Sequence, residues 1–527
     1  MKKMFLSILC FAFASMTHGE QWQVIGTRAM GMGGAFVGMA KGPIAQYWNP
    51  AGLYQESNIS GLDVPVGANI EFTGNIMENA SAIGELADKY SAIQSAQTSG
   101  GAIDADKMAA FVKTLALLED MNEPGKGALA EFAAGANLKL SKIAVSINNF
   151  TSAGANPFVD TTNIGLGEAG ASLIGIKFDG AGTTGANSTV IDNNAYDTAQ
   201  STLKIALDSL STSVDGIITI VCGTDNSCAS QDGTITTNSD LANALVNYAN
   251  ANGISPDTVI NAANTITQYS NETKGIIDTI IAKGGGDYTN NTSNLTIEGA
   301  SFTEIAFGMA KPFLVDGLTV GGNVKLVNGR IAYTSFTFLS EQSGTTDAFD
   351  DFFDDTKGSW KPAIDLGFMW DINKKWKLPM NPRAGLVIRN LNAPKFDKPD
   401  AVGGQYQLDR QIRFGFAISP ANFWHVALDM DITKNDTPVD GFKSRQMALG
   451  TEINIFNRPS INIPLRAGLM KNLAESDSKV SYTLGFGINL IHLHIDVAGV
   501  VSSDKTEIEG EDIPRKFGGS ASIGLLF

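Results

Sequence analysis

The sequence contains few of the side chains on which most catalytic and metal sites depend. Its 527 residues include only three cysteines and four histidines, and charged residues make up a low 17%. It also lacks a Gly-x-Ser-x-Gly segment or a comparable setting for a nucleophile. These scarcities argue against an enzyme, so we expect no catalytic residues, no cofactor and no resident metal.

The few histidines and cysteines allow two local hypotheses. His425, His492 and His494 fall on predicted strands and are expected to face inward as polar lining; a metal site of His492, His494 and Asp496 is the less favoured alternative. Cys222 and Cys228 are separated by five residues, and an oxidising compartment would favour their pairing. A disulfide there would stabilise the fold by roughly 2 kcal/mol. A redox pair is less favoured because the Cys-x-x-Cys spacing is absent.

Basic residues and long apolar runs are also scarce. The formal net charge is −16, which argues against a nucleic-acid partner because phosphates attract basic patches. Lys2 and Lys3 precede an apolar run over residues 4–14, which predicts a secretory signal over residues 1–19. Beyond it, no uninterrupted apolar stretch reaches the roughly 18 residues of a membrane-spanning helix.

What the sequence has in abundance is alternation of apolar and small or polar residues. In "SYTLGFGINL", residues 481–490, every second side chain is apolar. Similar segments recur from residue 301 onward, and three more precede it at about 59–75, 128–140 and 142–152. A soluble sandwich would use shorter strands, whereas strands of about ten residues with a small-residue inner face are typical of a membrane barrel. We therefore predict an all-β fold, a transmembrane antiparallel barrel of about 14 strands.

The connections between the predicted strands alternate in length. Those after even-numbered strands are short, and those after odd-numbered strands include insertions at about 76–127 and 153–300. Short periplasmic turns and long outer loops are usual for such barrels, so both termini are expected to be periplasmic. Apolar residues at helical spacing within both insertions predict large, partly helical extracellular loops. These helices are expected to pack on one another as a cap; an apolar groove open to a ligand is the less favoured alternative.

Several charged residues fall on the predicted inward faces. A lipid-facing charge at the membrane midplane costs about 2 to 4 kcal/mol, so charge belongs in the lumen. We expect some of these side chains to hold the N-terminal segment through hydrogen bonds: Asp429, Asp431, Arg389, Arg413, Lys325, Glu452 and Arg466. The acidic loop at residues 346–358 is expected to be solvated, with calcium-mediated contact to lipopolysaccharide the less favoured alternative.

One glycine-rich segment carries a family resemblance. "GTRAMGMGGAFVGMAKGPIAQYWNPAGL", residues 26–53, followed by fourteen predicted strands and a terminal Phe527, resembles the FadL/TodX family of outer-membrane transporters. The matching positions are Arg28, Gly31, Gly33, Gly34, Ala35, Phe36, Asn49, Pro50 and Ala51. The same signature occurs in TraF-like plasmid-transfer barrels and PorV-type secretion barrels, and "LTVGGNVKLVNGRIAY" and "PAIDLGFMWD" are more similar to the TraF-like group. A dinucleotide-binding interpretation fails because Phe36 stands where that motif needs glycine or alanine.

The resemblance implies an organisation and a function. Residues 20–58 would form a hatch inside a barrel of residues 59–527, with the matching positions lining the substrate path. Hydrophobic or amphipathic, fatty-acid-like small molecules would enter passively without a cofactor. A structural barrel of the TraF-like or PorV-like type, whose outer loops bind a partner, stays open as the alternative. The expected location is the outer membrane of a Gram-negative bacterium, in contact with its lipid and lipopolysaccharide, with the C-terminal Phe527 recognised by the outer-membrane assembly machinery.

Overall fold

The structure is a computed structural model that describes residues 20–74, 76, 104–160, 194–211, 237–283, 292–337, 356–400, 402–458, 460–508 and 511–527. Three predictions therefore lie outside the described residues. They are the secretory signal over residues 1–19, the pairing of Cys222 with Cys228, and nearly all of the acidic loop at 346–358.

Fourteen antiparallel strands form a closed barrel in which each strand pairs with its neighbours in chain order. The last strand closes the wall by pairing with the first, from Gly61 opposite Leu526 to Glu71 opposite Lys516. The barrel strands are β1 (Gly61–Thr73), β2 (Gly127–Leu140), β3 (Ile143–Phe158), β4 (Asn294–Pro312), β5 (Leu318–Thr337), β6 (Lys357–Asp371), β7 (Arg383–Arg389), β10 (Gln411–Ala421), β11 (Trp424–Asp431), β14 (Gln446–Arg458), β15 (Ile461–Asn472), β16 (Ser481–Leu490), β17 (Leu493–Ser502) and β20 (Lys516–Leu526). The predicted all-β barrel and its strand number are confirmed.

Three short hairpins lie in the connections between barrel strands. They pair β8 (Lys395–Asp397) with β9 (Gln405–Gln407), β12 (Asn435–Asp436) with β13 (Lys443–Ser444), and β18 (Lys505–Ile508) with β19 (Glu511–Pro514). The wall is uneven in height, because β5 has 20 residues whereas β7 has only 7. The β8–β9 hairpin follows the short strand β7.

The outer face of the wall is apolar and exposed. On β16, the side chains of Tyr482, Leu484 and Phe486 are 51%, 71% and 41% exposed, while the alternate Ser481 and Thr483 are buried. The same pattern recurs on the other barrel strands, for example at Phe307, Val324 and Ile523. An apolar surface of this extent is unfavourable in water and is suited to contact with lipid.

The connections alternate in length as the sequence predicts. The even-to-odd connections in the barrel are short, such as Ser141–Lys142 between β2 and β3, except for residues 372–382 between β6 and β7, which contain a short helix, Asn373–Trp376; the long insertions all follow odd-numbered strands. The start of β1 and the end of β20 therefore lie at the end of the barrel that carries the short turns. We call this the short-turn end and the opposite one the loop end.

The larger insertion is shorter than predicted. The sequence suggests a loop over residues 153–300, but β3 continues to Phe158 and β4 begins at Asn294, where these two residues pair. The extra residues, such as the Ala-Gly-Ala-Asn segment at 153–156, alternate too weakly to be recognised alone. They adopt strand structure because each pairs with a neighbouring strand that is already in place.

The described parts of the two insertions are helical. Helix α3 (Ala105–Met121) lies in the first, and helices α4 (Asn194–Leu210), α5 (Asn238–Ala251) and α6 (Pro256–Lys283) lie in the second. Their buried apolar side chains form one continuous cluster, which includes Leu115, Leu203, Leu207, Leu241 and Ile266. The helices therefore pack on one another as a cap, as predicted. Among the described residues, no helix is both long and apolar enough to cross a bilayer.

Candidate functional site

The chain before β1 lies inside the barrel. Residues 20–55, which we call the luminal segment, are nearly all buried, and their apolar side chains cluster with inward-facing residues of the wall such as Ala133, Phe150 and Ala427. The segment contains two short α-helices, α1 (Thr27–Gly31) and α2 (Ala45–Trp48), and two 3-10 turns, Val37–Met39 and Pro50–Tyr54. It fills the space that fourteen strands enclose and that wall side chains alone would leave open.

Four aromatic side chains form the centre of the luminal segment. The rings of Trp22, Phe36, Tyr47 and Trp48 contact one another with centroids 5.7 to 6.0 Å apart, mostly edge to face. Tyr47 donates a hydrogen bond to the carbonyl oxygen of Gln23, and the Trp48 indole donates one to that of Ile25. Burial raises the pKa of Tyr47 above its ordinary value, so its hydroxyl stays protonated. The segment thus has a small core of its own.

The motif glycines allow the luminal segment to approach the wall. Gly33 has φ +70°, and a Cβ there would lie 2.7 Å from the carbonyl oxygen of Leu469 on β15. A Cβ on Gly31 would lie 3.0 Å from the Cα of Gly485 on β16. Gly34 also has positive φ but is less crowded, with Val24 at 3.6 Å. Gly33 therefore meets both requirements that only glycine satisfies.

The wall offers its own glycines to the luminal segment. A row of inward-facing glycines on eight strands has segment atoms within 3.0 Å of a would-be Cβ: Gly308, Gly321, Gly367, Gly385, Gly415, Gly450, Gly468 and Gly485. Elsewhere side chains of the wall and the segment pack together, as where the Tyr47 ring stacks on Phe150 with centroids 5.1 Å apart, but at these positions wall backbone lies directly against the segment, with few interlocking side chains. Such a surface resists sliding or withdrawal less than an interdigitated core does.

Asp429 holds the middle of the luminal segment. One of its carboxylate oxygens accepts hydrogen bonds from the backbone N–H groups of Phe36 and Val37, at 2.8 and 2.7 Å. The side chain is 1% exposed on β11. The sequence placed Asp429 inward, and the structure adds its two backbone partners.

Arg28 joins the luminal segment to a buried charge cluster. Its guanidinium donates two hydrogen bonds to the carboxylate of Glu452 on β14, both at 2.7 Å. Glu452 also accepts from Arg466 at 2.7 Å, and Arg466 contacts Asp496 at 2.5 Å. Two arginines and two acids thus compensate one another inside the barrel, which buried charges require.

The Asn-Pro-Ala motif lies near the C-terminal end of the luminal segment. Asn49 accepts a hydrogen bond from the N–H of Ala51 at 3.1 Å and so caps the 3-10 turn, with Pro50 at its first position. The Asn49 amide also donates to the carbonyl oxygen of Phe368 on β6 at 3.0 Å. Other side chains of the wall hold the segment at further points, namely Asn323 at Gln46, Thr483 at Gly31, Ser520 at Thr27 and Thr319 at Ala51.

Two further lumen residues predicted from the sequence, Arg389 and Arg413, contact the luminal segment through its aromatic rings. The Arg389 guanidinium lies 4.0 Å from the Tyr47 ring centre, and that of Arg413 lies 4.5 Å from the Trp22 ring centre. Arg389 pairs with Glu304 at 3.0 Å, and Arg413 pairs with Asp431 at 2.5 Å. These cation–π contacts place two compensated charges against the aromatic core. Asp431 orients Arg413 instead of contacting the segment itself.

Sequence reasoning missed two acidic partners of this network. Lys325 contacts Glu304 and Asp365 at 3.1 and 3.0 Å, and all three side chains are buried. The signal was present, because Asp365 alternates with Ala363 and Gly367 on one strand face, as Glu304 does with Ala306 and Gly308. Their pairing across three strands depends on the register, which alternation alone does not give.

Glu20, at the start of the luminal segment, is held towards the loop end. It accepts a hydrogen bond from the Tyr406 hydroxyl at 3.4 Å and another from the Gln23 amide at 2.7 Å, and the Gln411 side chain donates to its carbonyl oxygen. Burial raises the pKa of Glu20 to about 7. The segment is therefore in polar contact with the β8–β9 hairpin.

A strap closes the loop end of the barrel. Residues 432–445, between β11 and β14, cross to β2 and β3, where Gly125 donates to the carbonyl oxygen of Asp440 at 2.6 Å. The Asn156 amide donates to the carbonyl oxygen of Pro438 at 3.0 Å and accepts from the N–H of Asp440 at 2.7 Å. A cavity of about 650 Å³ lies beside the strap.

Replacing Asn156 with alanine is expected to loosen the strap. The change removes both side-chain hydrogen bonds, each with a net contribution of about 1 kcal/mol, so local opening should become easier. We expect faster hydrogen–deuterium exchange over residues 436–442. Asn294→Ala is the matched control, because the Asn294 side chain also makes two hydrogen bonds, donating to Thr292 and accepting from Thr296, but both are local to its own strand end. Equal exchange in the two variants would contradict the assigned role of Asn156.

A second cavity, of about 400 Å³, opens at the short-turn end. Its lining includes Arg28, Glu452 and His425. His494 contacts Asp63 at 3.2 Å, but His492 lies in the turn before β17, where it contacts the carbonyl oxygen of Leu526. The prediction that His492 and His494 share an inward face is therefore wrong, because β17 begins only at Leu493. The alternative metal site with Asp496 loses its geometry, since Asp496 pairs with Arg466.

Comparisons with known proteins give one family match. The model of the family described as "F plasmid transfer operon, TraF, protein" matches residues 46–431. No curated protein shows significant similarity to the chain.

Several solved structures resemble the chain at low identity. The Ralstonia pickettii toluene transporter TbuX is 11% identical with a TM-score of 0.39, covering 95% of this chain and 97% of that chain. The Pseudomonas putida toluene transporter TodX is 10% identical with a TM-score of 0.37, covering 97% and 98%. A Pseudomonas aeruginosa FadL homologue is 8% identical with a TM-score of 0.36, covering 97% and 99%.

Proposed function

The chain belongs to the family described as "F plasmid transfer operon, TraF, protein", and we propose that this member is an outer-membrane barrel that admits hydrophobic or amphipathic small molecules passively. The luminal segment acts as the hatch on the path. Arg28, Gly31, Gly33, Gly34, Phe36, Asn49, Pro50 and Ala51 are its path-facing or anchoring residues, and Asp429 is its principal acceptor on the wall.

The observation that carries this proposal is how the luminal segment is held. It fills much of the lumen, yet on many strands it meets the wall across inward-facing glycines, and its polar anchors, including Asp429 and Glu452, are separate from one another. A permanent structural core would be expected to interlock side chains with the wall. Separate polar contacts, on a wall surface with glycines in place of interlocking side chains, are suited to a plug that can move.

The exposed faces support a location in the outer membrane. The apolar outer side chains of the strands favour lipid, and short turns usually face the periplasm in such barrels. On this basis both termini are periplasmic and the helical cap faces outward, towards lipopolysaccharide. We also propose that the assembly machinery of a Gram-negative outer membrane recognises the C-terminal strand β20 and Phe527.

A second candidate function rests on the family assignment and the helical cap. In this alternative the barrel is an anchor, and the cap of α3–α6 binds a partner during plasmid transfer. The cap is large and has a continuous apolar core of its own, as expected of a folded binding module. The alternative predicts no passage of small molecules.

Uptake of N-phenyl-1-naphthylamine tests the channel. This apolar probe fluoresces once it passes the lipopolysaccharide layer of intact Gram-negative cells. We expect fluorescence to rise faster in cells that make the protein than in cells with the empty vector. In cells with a variant that lacks residues 31–53 it should rise faster still, and polar dyes should then enter as well. Equal rates in vector and wild-type cells, at matched amounts of folded barrel, would reject the channel and favour the anchor.

A further inference from the structure

The cavity of about 400 Å³ at the short-turn end is a separate space with its own lining, and we call it the short-turn vestibule. Gly42 and Pro43 of the luminal segment form one side of it, and wall strands form the other. A Cβ on Gly42 would have no atom within 4 Å, so the backbone there faces open space. Small-molecule sites begin at about 300 Å³. The short-turn vestibule is therefore large enough to hold a ligand of its own.

A row of polar side chains crosses the wall of the short-turn vestibule. Asn462 on β15 lies opposite Asn489 on β16, and Asn489 lies opposite His494 on β17. The Asn462 amide donates a hydrogen bond to Oδ1 of Asn454 on β14 at 2.9 Å. All four side chains line the vestibule and are half-buried. Four successive strands thus present polar groups to one space.

Part of the hydrogen-bonding capacity of this row is unused. Oδ1 of Asn462 is buried and has no hydrogen-bond partner among the residues that the structure describes. Asn489, in the middle of the row, adds an amide with two N–H donors and one acceptor oxygen. A buried acceptor without a partner is unfavourable. A ligand that donates a hydrogen bond to Asn462 would remove that cost.

The charged side chains of the short-turn vestibule are compensated in pairs. An ion entering the vestibule would therefore meet counter-charges that are already paired, and the loss of its own hydration would be poorly repaid. This arrangement favours a neutral ligand. The pairs are Arg28 with Glu452, Arg466 with Asp496, Lys41 with Glu56, and His494 with Asp63.

Hydroxyl groups are the chemistry that matches this surface. A hydroxyl donates and accepts, as an amide does, so a hydroxyl-rich ligand can bond to a row of asparagines without bringing a charge. Ile59 and Leu526 also line the vestibule, and their side chains are suited to the C–H face of a sugar ring. An apolar ligand would leave the amides without partners, which lowers affinity.

We propose that the short-turn vestibule binds a neutral saccharide unit, with Asn462 and Asn489 as its hydrogen-bonding residues. A hydroxyl of the sugar donates to Oδ1 of Asn462, and others exchange hydrogen bonds with the Asn489 amide. The site goes beyond the proposed channel, because its ligand is hydroxyl-rich and its occupation requires no movement of the luminal segment. With the short-turn end in the periplasm, the saccharide is either a soluble oligosaccharide or the glycan of the cell wall.

The histidine signals of the full-length wild-type protein test the binding. His425 and His494 line the vestibule, whereas His492 lies in the turn before β17, outside the lining. The protein is labelled with ¹³C-histidine, held in micelles and titrated with the neutral disaccharide N,N′-diacetylchitobiose. We expect the ring signals of His425 and His494 to shift to saturation and that of His492 to stay in place. Unchanged signals of His425 and His494 would overturn the inference.

Substitutions in the row test the assigned residues. Asn462→Ala and Asn489→Ala each remove hydrogen bonds to the ligand, and each should weaken binding about tenfold. Asn294→Ala removes a half-buried asparagine at the loop end of β4 and should bind like the wild type. Equal affinity in all four proteins would place the sugar elsewhere and overturn the assignment. The wild-type titration keeps the test valid if a variant in the row does not fold.

A charged sugar tests the inferred neutrality of the ligand. Digalacturonate offers hydroxyl groups like those of the neutral disaccharide, but its carboxylates would meet cations that are already paired. We expect it to bind the wild type at least about tenfold more weakly than N,N′-diacetylchitobiose. Tighter binding of digalacturonate would overturn the inference of a neutral ligand.

Sedimentation with purified cell-wall sacculi distinguishes the two sources of the saccharide. Co-sedimentation of the wild type but not of Asn489→Ala would assign the ligand to the wall glycan. Binding of N,N′-diacetylchitobiose without co-sedimentation would assign it to a soluble oligosaccharide, and failure of both would overturn the inference. Uptake of N-phenyl-1-naphthylamine reports on the channel independently, so the failure of one proposal is distinguishable from that of the other.

Discussion

Replacing Gly33 with valine is expected to release the luminal segment from the wall. A side chain at φ +70° costs about 1–2 kcal/mol, and its Cβ would overlap the backbone of Leu469, which cannot rotate away. Trypsin cleavage after Arg28 measures the release, because cleavage follows the population of the open state when opening and closing are fast.

The chain offers a matched control for this substitution. Gly42 has φ +73°, but a Cβ there has no atom within 4 Å, so Gly42→Val has the same conformational cost without the overlap. We expect Gly33→Val to be cleaved after Arg28 at least about tenfold faster than Gly42→Val, since 1.4 kcal/mol corresponds to a factor of ten. Equal cleavage would mean that contact with β15 does not hold the segment.

Replacing Glu452 with glutamine is expected to cost about 3 kcal/mol of the free energy of unfolding, because it leaves the partly buried guanidinium of Arg28 without its counter-charge and removes one of the two acids that pair with buried Arg466. Glu452 pairs with both Arg28 and Arg466; Arg466 also pairs with Asp496, whereas among the described residues the ion pair of Arg28 is the one with Glu452. Urea titration in detergent micelles, followed by tryptophan fluorescence, gives the free energy of unfolding.

A second substitution identifies the uncompensated charge. Adding Arg28→Met to Glu452→Gln removes the unpaired cation and should recover part of the lost stability. Asp512→Asn breaks an exposed pair with Lys505 and should stay within about 0.5 kcal/mol of the wild type. If the double variant is no more stable than Glu452→Gln, then Arg28 is not the charge that the Glu452→Gln change leaves unpaired.

Much of the wall can be predicted from the sequence because its signal is local. Apolar and small residues alternate over ten or more positions, as in residues 481–490, and a period of two can only be a strand with two different faces. The same alternation predicts which charged residues face inward, and Asp429, Arg389 and Arg413 are buried as predicted. The strand number and the alternation of short and long connections follow by counting.

Weakly alternating residues mark the limit of this approach. The alternation predicts loop at the end of β3 and at the start of β4, and it predicts strand at His492, because it carries no information on where pairing stops. Where pairing stops depends on whether the neighbouring strand has residues in register to pair with. A turn can therefore begin within an apparently regular stretch such as "IHLHIDVA".

By itself, the sequence determined a closed, lipid-facing sheet with a glycine-rich segment ahead of it, since each of these is encoded within a few consecutive residues. Only the tertiary structure decided what fills the barrel. Arg28 and Glu452 are 424 residues apart in the chain, and Phe396 reaches Gly329 only because the strand before it is short and turns inward. Such contacts depend on register accumulated around the whole wall and on competition for one enclosed space, and neither is a property of any local stretch of sequence.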